Sequence, residues 1–585
     1  MFVVIVIFCG SQLIHVTNRF HPLLKKELYP PSFPFNYLGS MGVDISDLQW
    51  YYFLLASPVS VSIMSVLILV TRQARRRGRP KQYRLLPEQS ALPPSPNKGA
   101  SSSSSNDHCL VGRDVSKLQT IHFIAGLVVS FVISGPPCVF GFLLVLANFY
   151  LIRPLLEKFS YKLSMTIMWV THVAMIFLNF HFAGYSFRWF GLGWLDTAWP
   201  ILIRWPIQYN MSLLRMIAFN SDYWEYYLLS KEGGGQAVVD KRKKVLQKHL
   251  FTCIECAQTR DRNNVSSINI SGSMEESLLC YKARTECTRS GEEYKSLRSY
   301  LAYVYYAPLF VAGPMISYNA YESYCNFPLR NINRKEIIRY ATRIFYNGVT
   351  LFVFMHFIHI HAIIVATPPS SSTSTTLPPI SIGQRGRALP PHDPSQYEPI
   401  DETLSVMSQL NVTQRVLVFI FLLAFLWLKF NVIWKFFRLV SLVEGVDTPE
   451  DMPRCFANVV SIQGFWRDWH ASFNHWIVRY MYIPMGGKNK KFLTIFPIFF
   501  FIAVWHDVEL RLLFWALFIC IVLVPEIIFT LLFASKRIPI INKIKSNFKL
   551  FFALRVIGTE LTMMELVLIN LVGFAIGGRR RRRGH

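Results

Sequence analysis

Apolar positions along the 585-residue chain fall in long unbroken runs instead of the spaced stripes of a soluble helix. A helix crossing roughly 30 Å of hydrocarbon needs about 20 such residues, because every backbone N–H and C=O must be satisfied within the segment. The runs at 49–70, 162–182, 343–366, 413–440 and 556–576 meet that length, and those at 121–152 and 492–534 are long enough for two passes each. Gly135, Pro136 and Pro137 break the run at 121–152. Proline lacks a backbone donor and clashes with the preceding turn, so a kinked hairpin or two half-helices are expected there. The apolar stretch 300–318 has basic segments on both sides and carries Pro308, Gly313 and Pro314, which predicts a re-entrant segment. The fold class that follows is all-α, a polytopic transmembrane helical bundle of about 10–12 membrane segments including re-entrant ones.

Polar stretches divide the chain into an apolar or interfacial segment at 1–48, a first transmembrane helix and basic Ser/Pro-rich loop at 49–119, a membrane core at 120–576 with inserts at 231–298 and 367–412, and a polybasic tail at 577–585. Met1 to Phe8 has no basic residues ahead of its apolar run, so an anchoring segment is expected in preference to a cleaved signal peptide. The centre of the loop at 72–119 reads as disordered. Hydrophobic residues make up 52% of the chain and charged ones 16%, too apolar a balance for an ordinary soluble protein of this length.

The formal charge is +26, and the excess sits in short runs beside apolar stretches: Arg72 to Arg84, Lys241 to Lys244, and Arg579 to Arg583. That distribution suits membrane orientation, and no nucleic-acid partner is expected. The positive-inside rule puts 72–119, 231–298 and the tail on the cytoplasmic face and 367–412 in the lumen, although Lys536 to Lys549 compete with the tail. The sequons at Asn264 and Asn269 then face the cytoplasm and that at Asn411 adjoins a span, so little N-glycosylation is expected. The ten cysteines form no disulfide framework, and Cys138 and Cys520 read as small core residues. Cys253-x-x-Cys256 with Cys280 and Cys287 is a partial zinc pattern, the alternative being unpaired thiols in a flexible polar loop. Among His356, His359 and His361, alternate spacing could place two on one strand face, but all three lie within a membrane-helix run. No metal is expected.

Two stretches carry candidate chemistry. Gly464 to Gly487 sets Trp, Arg and His side chains among apolar neighbours, where ionisable groups face a cavity or a partner, the competing reading being an aromatic belt at the membrane boundary. In Val504 to Arg511, His506 lies within the apolar run, about fifteen helical residues and so roughly 22 Å beyond Lys491. A neutral imidazole there is a competent general base for a hydroxyl; a structural histidine bonded to a neighbouring helix is the other reading.

Trp466-Arg-Asp-Trp-His-Ala-Ser-Phe-Asn474, then Arg479-Tyr-Met-Tyr-Ile-Pro-Met-Gly-Gly487, then the embedded Trp505-His506 resemble the membrane-bound O-acyltransferase family. Asn210 to Trp224 and Tyr306 to Tyr318 resemble other stretches of it in the same order, so the resemblance covers about 120–576. The pattern is nearest the glycerol-uptake-protein and hedgehog-acyltransferase-like branch, which includes fungal remodellers of glycosylphosphatidylinositol anchors. The resemblance implies a central tunnel, with acyl-CoA entering from the cytoplasmic side and the acceptor from the lumen or the lipid. It makes His506 the catalytic histidine and His470 the second polar position. The loop pattern alone puts His470 near the cytoplasmic rim, so its place in a tunnel rests on the resemblance.

The mechanism then expected has His506 take the acceptor proton while the oxygen attacks the thioester, with His470 orienting a reactant or stabilising the oxyanion. An acyl-enzyme on Ser472 is not required. Trp466, Arg467, Asp468, Asn474, Arg479 and Trp505 are expected to bind substrate, Arg467 and Arg479 through the CoA phosphates. No cofactor is expected, acyl-CoA being the donor substrate. The expected function is transfer of a long-chain acyl group to a lyso-lipid or anchor hydroxyl in the endoplasmic reticulum membrane, within anchor remodelling. Protein acylation of the hedgehog-acyltransferase type, polyol transport and an inactive scaffold are the alternatives. Transport would favour inverted repeats, and no matching halves are visible.

Overall fold

The computed structural model describes residues 2–28, 65–74, 80–83, 110–113, 115–181, 185–197, 205–262, 276–310, 312–329, 334–366, 404–535 and 537–570. Most of the first apolar run, the Ser/Pro-rich loop centre, Asn264 and Asn269, most of the insert at 367–412 and the arginine tail lie outside them. The main elements in chain order are α1 (Phe2–Leu28), β1 (Pro80–Tyr83), β2 (Leu110–Arg113), α2 (Ser116–Ser134), α3 (Cys138–Ala147), α4 (Tyr161–His181), α5 (Pro206–Thr252), α6 (Ile254–Arg262), α7 (Tyr281–Glu286), α8 (Leu297–Val304), α9 (Tyr318–Asn326), α10 (Arg334–Phe357), α11 (Ile360–Val365), α12 (Val412–Val443), α13 (Ile462–Asp468), α14 (Ala471–Ile477), α15 (Lys491–His506), α16 (Leu510–Ala534) and α17 (Phe548–Asn570). The protein is helical and polytopic, with one exception to the all-α expectation: β1 and β2 pair as an antiparallel ribbon at the two ends of the basic loop.

Among the described residues, five helical segments are long and apolar enough to cross a membrane: Ser116–Ser134, Cys138–Leu156, Tyr161–His181, Val412–Val443 and Leu510–Ala534. The break inside 121–152 falls where the prolines put it. Gly135 ends α2 at φ +65°, a backbone that suits glycine, and Cys138 starts the next helix directly after Pro136 and Pro137. The run at 492–534 divides into α15 and α16, which pack on each other across residues 507–509. His506 is the last residue of α15, whose 16 residues span about 24 Å, in keeping with the roughly 22 Å expected from Lys491. The stretch 300–318 is broken as expected into short helices, and α8 and α9 within and beyond it are buried almost throughout.

The chain forms two compact units. In the first, which includes 1–56 and 347–429, α1 packs on α11. Leu13, Val16, Phe20 and Leu24 recur at helical spacing and are fully buried, and the His359 N–H donates to Thr17 Oγ1 at 3.2 Å.

The second unit, Ser57–Tyr346 with Phe430–Gly573, holds both histidines of interest. Its core joins Leu213–Phe219 of α5, Tyr300–Tyr306 and Ile498–Trp505. Several polar groups inside are paired: Glu322 accepts from Gln119 Nε2 at 2.9 Å and from the Ser299 hydroxyl, and His122 Nδ1 lies 2.8 Å from the Tyr321 hydroxyl. Helix α2 meets the end of α8 so closely that a Cβ on Gly126 would lie 1.6 Å from the Tyr305 carbonyl oxygen. Backbone cannot give way as a flexible side chain can. Gly126→Ala is therefore expected to lower stability by at least about 1–3 kcal/mol, read as a lower melting temperature in detergent. Gly558→Ala, with nothing within 4 Å of its Cβ position, should leave the melting temperature unchanged.

The described residues of the insert, 231–262 and 276–298, are folded, not a loose loop. Helix α5 kinks at Gly233 and Gly234 and continues to Thr252, and Cys256, Ala283, Arg284 and Cys287 beyond it are fully buried. Burial alone would raise the Glu276 carboxyl, but Arg242 and then Arg289 bring it down to about 2.

Candidate active site

The site is built from the loop after α12, the junction of α13 with α14, and the end of α15. Arg438 of α12 ties down the loop by donating to the Thr448 carbonyl at 2.7 Å and to Asp447 Oδ1 at 2.8 Å. Four residues further on, Asp451 is buried, its side chain 1% exposed. Helix α13 is capped by the Ser461 hydroxyl, and Glu526 of α16 accepts from the Ile462 and Gln463 N–H groups, a carboxylate at a helix N-terminus.

His470 links α13 to α14 at φ +53° and ψ +55°, the one non-glycine residue with positive φ among the described residues. An L-residue in that region costs about 1–2 kcal/mol, so its surroundings must over-determine it. They do. Its Nδ1–H donates to Asp451 Oδ1 at 2.9 Å, the same oxygen accepts from Ser472 N at 3.0 Å, and the Asp451 carbonyl accepts from Ala471 N at 3.0 Å. The imidazole stacks on Trp434 with ring centroids 4.2 Å apart. Ser472 is 2% exposed, and its hydroxyl oxygen accepts from Met315 N at 2.7 Å. That serine holds backbone and is poorly placed as a nucleophile.

His506 is fixed through its neighbour. Trp505 Nε1 donates to the Asn210 carbonyl at 2.8 Å, and Asn210 Nδ2 donates back to the Trp505 carbonyl at 2.9 Å, satisfying one of the last carbonyls of α15. Residues 501–505 are buried, whereas His506 is exposed. A ladder of rings joins the two histidines: His470 to Phe473 at 5.4 Å, Phe473 stacked on Trp505 at 5.0 Å, and Trp505 to His506 at 4.8 Å. His470 and His506 lie within electrostatic range of each other. The arrangement is two imidazoles, one braced by a carboxylate, on an apolar aromatic wall.

The other expected site residues divide. Trp505 belongs to the wall, and Asn474 is half-buried on α14. Trp466 packs on Phe499 and Trp515, bracing α13 against α15 and α16. Arg467 is exposed and pairs with Asp468, which also faces Arg454 at 3.5 Å. Arg479 is bound by carboxylates: Asp222 Oδ1 at 2.9 Å and Glu225 Oε2 at 3.3 Å. Asp222 is 1% exposed and also accepts from the Tyr480 hydroxyl. Removing Arg479 would strand a buried carboxylate, so Arg479→Ala is expected to cost about 3–5 kcal/mol of stability. A thermal melt checks this, and an unchanged melting temperature would contradict it.

Sequence reasoning missed Asp451, Trp434 and the bonding role of Asn210. A signal for Asp451 existed: Asp447, Glu450 and Asp451 crowd the short loop directly after a long apolar helix. The structure also brings His249, Cys253, Cys256 and Cys280 together, their candidate ligand atoms within 4.8 Å of one another; Cys287 is not in that group.

The model of the membrane-bound O-acyltransferase family matches residues 244–379 and 402–565, a range that includes both histidines. The chain belongs to this family. It is similar to the membrane-bound O-acyltransferase GUP1 of Candida tropicalis, 30% identical over 433 residues, covering 73% of this chain and 60% of that protein. Likeness to the gup1 protein of Schizosaccharomyces pombe is 28% over 453 residues, covering 77% and 64%. A shorter likeness, 30% over 96 residues and 16% of this chain, is to the protein-cysteine N-palmitoyltransferase HHAT of Mus musculus, 19% of which is covered. The chain thus spans 60% to 64% of the length of these two fungal relatives.

Proposed function

We propose that the protein transfers a long-chain acyl group from acyl-CoA to the hydroxyl of a lyso-lipid, most specifically in remodelling glycosylphosphatidylinositol anchors at the endoplasmic reticulum membrane. The observation that carries the reading is the strained His470, braced by Asp451 and joined through Phe473 and Trp505 to His506. Strain of this kind persists where surrounding structure holds a side chain for chemistry. His506 takes the hydroxyl proton as the oxygen attacks the thioester carbon, forming the C–O bond. With Nδ1 engaged by Asp451, Nε2 of His470 is the ring nitrogen left to orient the carbonyl and its oxyanion. The C–S bond then breaks, and the leaving thiolate receives the proton from His506. No acyl-enzyme intervenes.

A hydroxyl suits this base better than a peptide amine, which near pH 7 arrives largely protonated and must first lose that proton. The basic runs put the loop at 72–119 and the tail at 577–585 on the cytoplasmic face, so acyl-CoA enters from there. The test is the purified protein with long-chain acyl-CoA and a panel of lysophosphatidylinositols, lyso-anchor glycolipids, other lyso-lipids and an N-terminal cysteine peptide, read by mass spectrometry. A new ester on an inositol lyso-lipid supports the reading. An acylated peptide with no lipid ester would replace the acceptor, and polyol flux in vesicles without any acyl product would replace acyl transfer itself.

A further inference from the structure

The insert contains a second constellation that the active site does not use. His249 and Cys253 lie at the end of α5, Cys256 lies on α6, and Cys280 caps the N-terminus of α7. The spacing His249-x3-Cys253-x2-Cys256 puts three ligands at i, i+4 and i+7; His249 and Cys253 lie one helical turn apart, and the helix breaks at Cys253, where ψ turns to 118°. Cys280 closes the group from the other side of the insert. The Sγ atoms of Cys253 and Cys280 are 3.8 Å apart, and Cys280 Sγ lies 3.8 Å from His249 Nδ1. Tetrahedral zinc with bonds of about 2.3 Å to sulfur and 2.0–2.1 Å to nitrogen sets ligand atoms about 3.6–3.8 Å apart. A disulfide would need about 2.05 Å, and all three cysteines are free of disulfides.

Two further bonds suit a metal. His249 Nε2 lies 3.3 Å from Glu286, so Nε2–H donates to the carboxylate and Nδ1 is left facing the thiols, the usual arrangement around a metal-bound imidazole. The Cys280 N–H donates to Cys256 Sγ at 3.2 Å, a bond that strengthens when the sulfur is a thiolate. Cys287, the fourth cysteine of the sequence pattern, lies outside the group; it is buried in a small apolar cluster with Val245, Leu279, Ala283 and Cys256, against which Cys253 and Cys280 also pack.

We propose that His249, Cys253, Cys256 and Cys280 form a structural zinc site. Three thiolates and an imidazole favour zinc among abundant cations, and four protein ligands close the tetrahedron, so the site braces and does not catalyse. On the cytoplasmic face to which the basic runs assign the insert, thiols stay reduced. The brace holds the end of α5, α6 and α7 together beside a network that grips α9: Arg284 donates to Ser323 Oγ at 3.0 Å and to the Phe327 carbonyl at 2.7 Å, and Ser323 donates to Glu276 at 2.7 Å. Metal loss would therefore loosen the insert from α9.

The test uses the full chain purified in detergent without chelator, with metal content measured by mass spectrometry. About one zinc per chain is expected, falling at least tenfold in Cys253→Ser, Cys280→Ser and His249→Ala and unchanged in Cys287→Ser. If the ligand variants do not fold, the wild-type protein still decides: an organomercurial that caps thiols should release one equivalent of zinc to a chromogenic chelator, and cobalt exchanged into the site should show tetrahedral thiolate absorption. Wild-type protein without zinc after growth in zinc-supplemented medium, full zinc retained in Cys253→Ser, or a disulfide mapped between any two of the three cysteines would each overturn the site.

Discussion

His506→Ala is expected to reduce acyl transfer by about 10²–10⁴, the range that a positioned general base supplies. The protein should remain folded and membrane-inserted, because the end of α15 is held through Trp505 and Asn210 and the core contact of that turn is the Trp505 ring. His506 itself is exposed, whereas residues 501–505 are buried, so truncating it removes little packing. The kcat and the melting temperature in detergent, measured on one preparation, separate the readings. Wild-type turnover in the variant would remove His506 from the chemistry. A collapse in stability with a matching loss of activity would make it a structural histidine.

Asp451→Asn is expected to have the next largest effect. An asparagine oxygen can still accept from Ser472 N, so the α13–α14 junction should survive. The charge that fixes His470 is lost, and an amide can equally present N–H to the ring, which lets the imidazole adopt the wrong tautomer. In hydrolases with a carboxylate-oriented histidine, that change costs up to about 10⁴ in turnover. Because the role proposed for His470 is to orient the carbonyl and not to take the proton, a fall of about 10² is expected, in kcat more than in KM. The split between the two constants is the readout. A variant with normal kcat and a lower melting temperature would make Asp451 only a brace for the strained backbone at His470.

The sequence shows the interruptions and long runs because they are local properties of the backbone. Gly135 with its two prolines cannot continue a helix, and a 43-residue apolar run at 492–534 cannot be crossed once. The turn within that run is not legible to the residue, since Asp507, Val508 and Glu509 are few among apolar neighbours. Partners far apart in the chain were also hidden. Arg479 beside apolar residues resembles an anion-binding group, yet its charge is matched by Asp222, 257 positions earlier. Asp451 serves His470 across 19 positions and a change of direction at Trp469. The cysteine spacing suggests Cys287 as a fourth ligand, while the structure brings His249 into the group because it lies one turn before Cys253, whose N–H donates to the His249 carbonyl. Such pairings depend on how elements pack, which periodicity does not encode.

The central claim is direct transfer from a thioester to a lipid hydroxyl across the His470–His506 wall. Its most direct test follows labelled long-chain acyl-CoA in the purified protein, with and without lysophosphatidylinositol, and quantifies free CoA, lipid ester and protein-bound acyl group in one experiment. The expected result is acceptor-dependent CoA release, with one ester formed per CoA freed and no acyl group on the protein. Intact acyl-CoA with every hydroxyl acceptor, or a stoichiometric acyl adduct formed before acceptor is added, would contradict it.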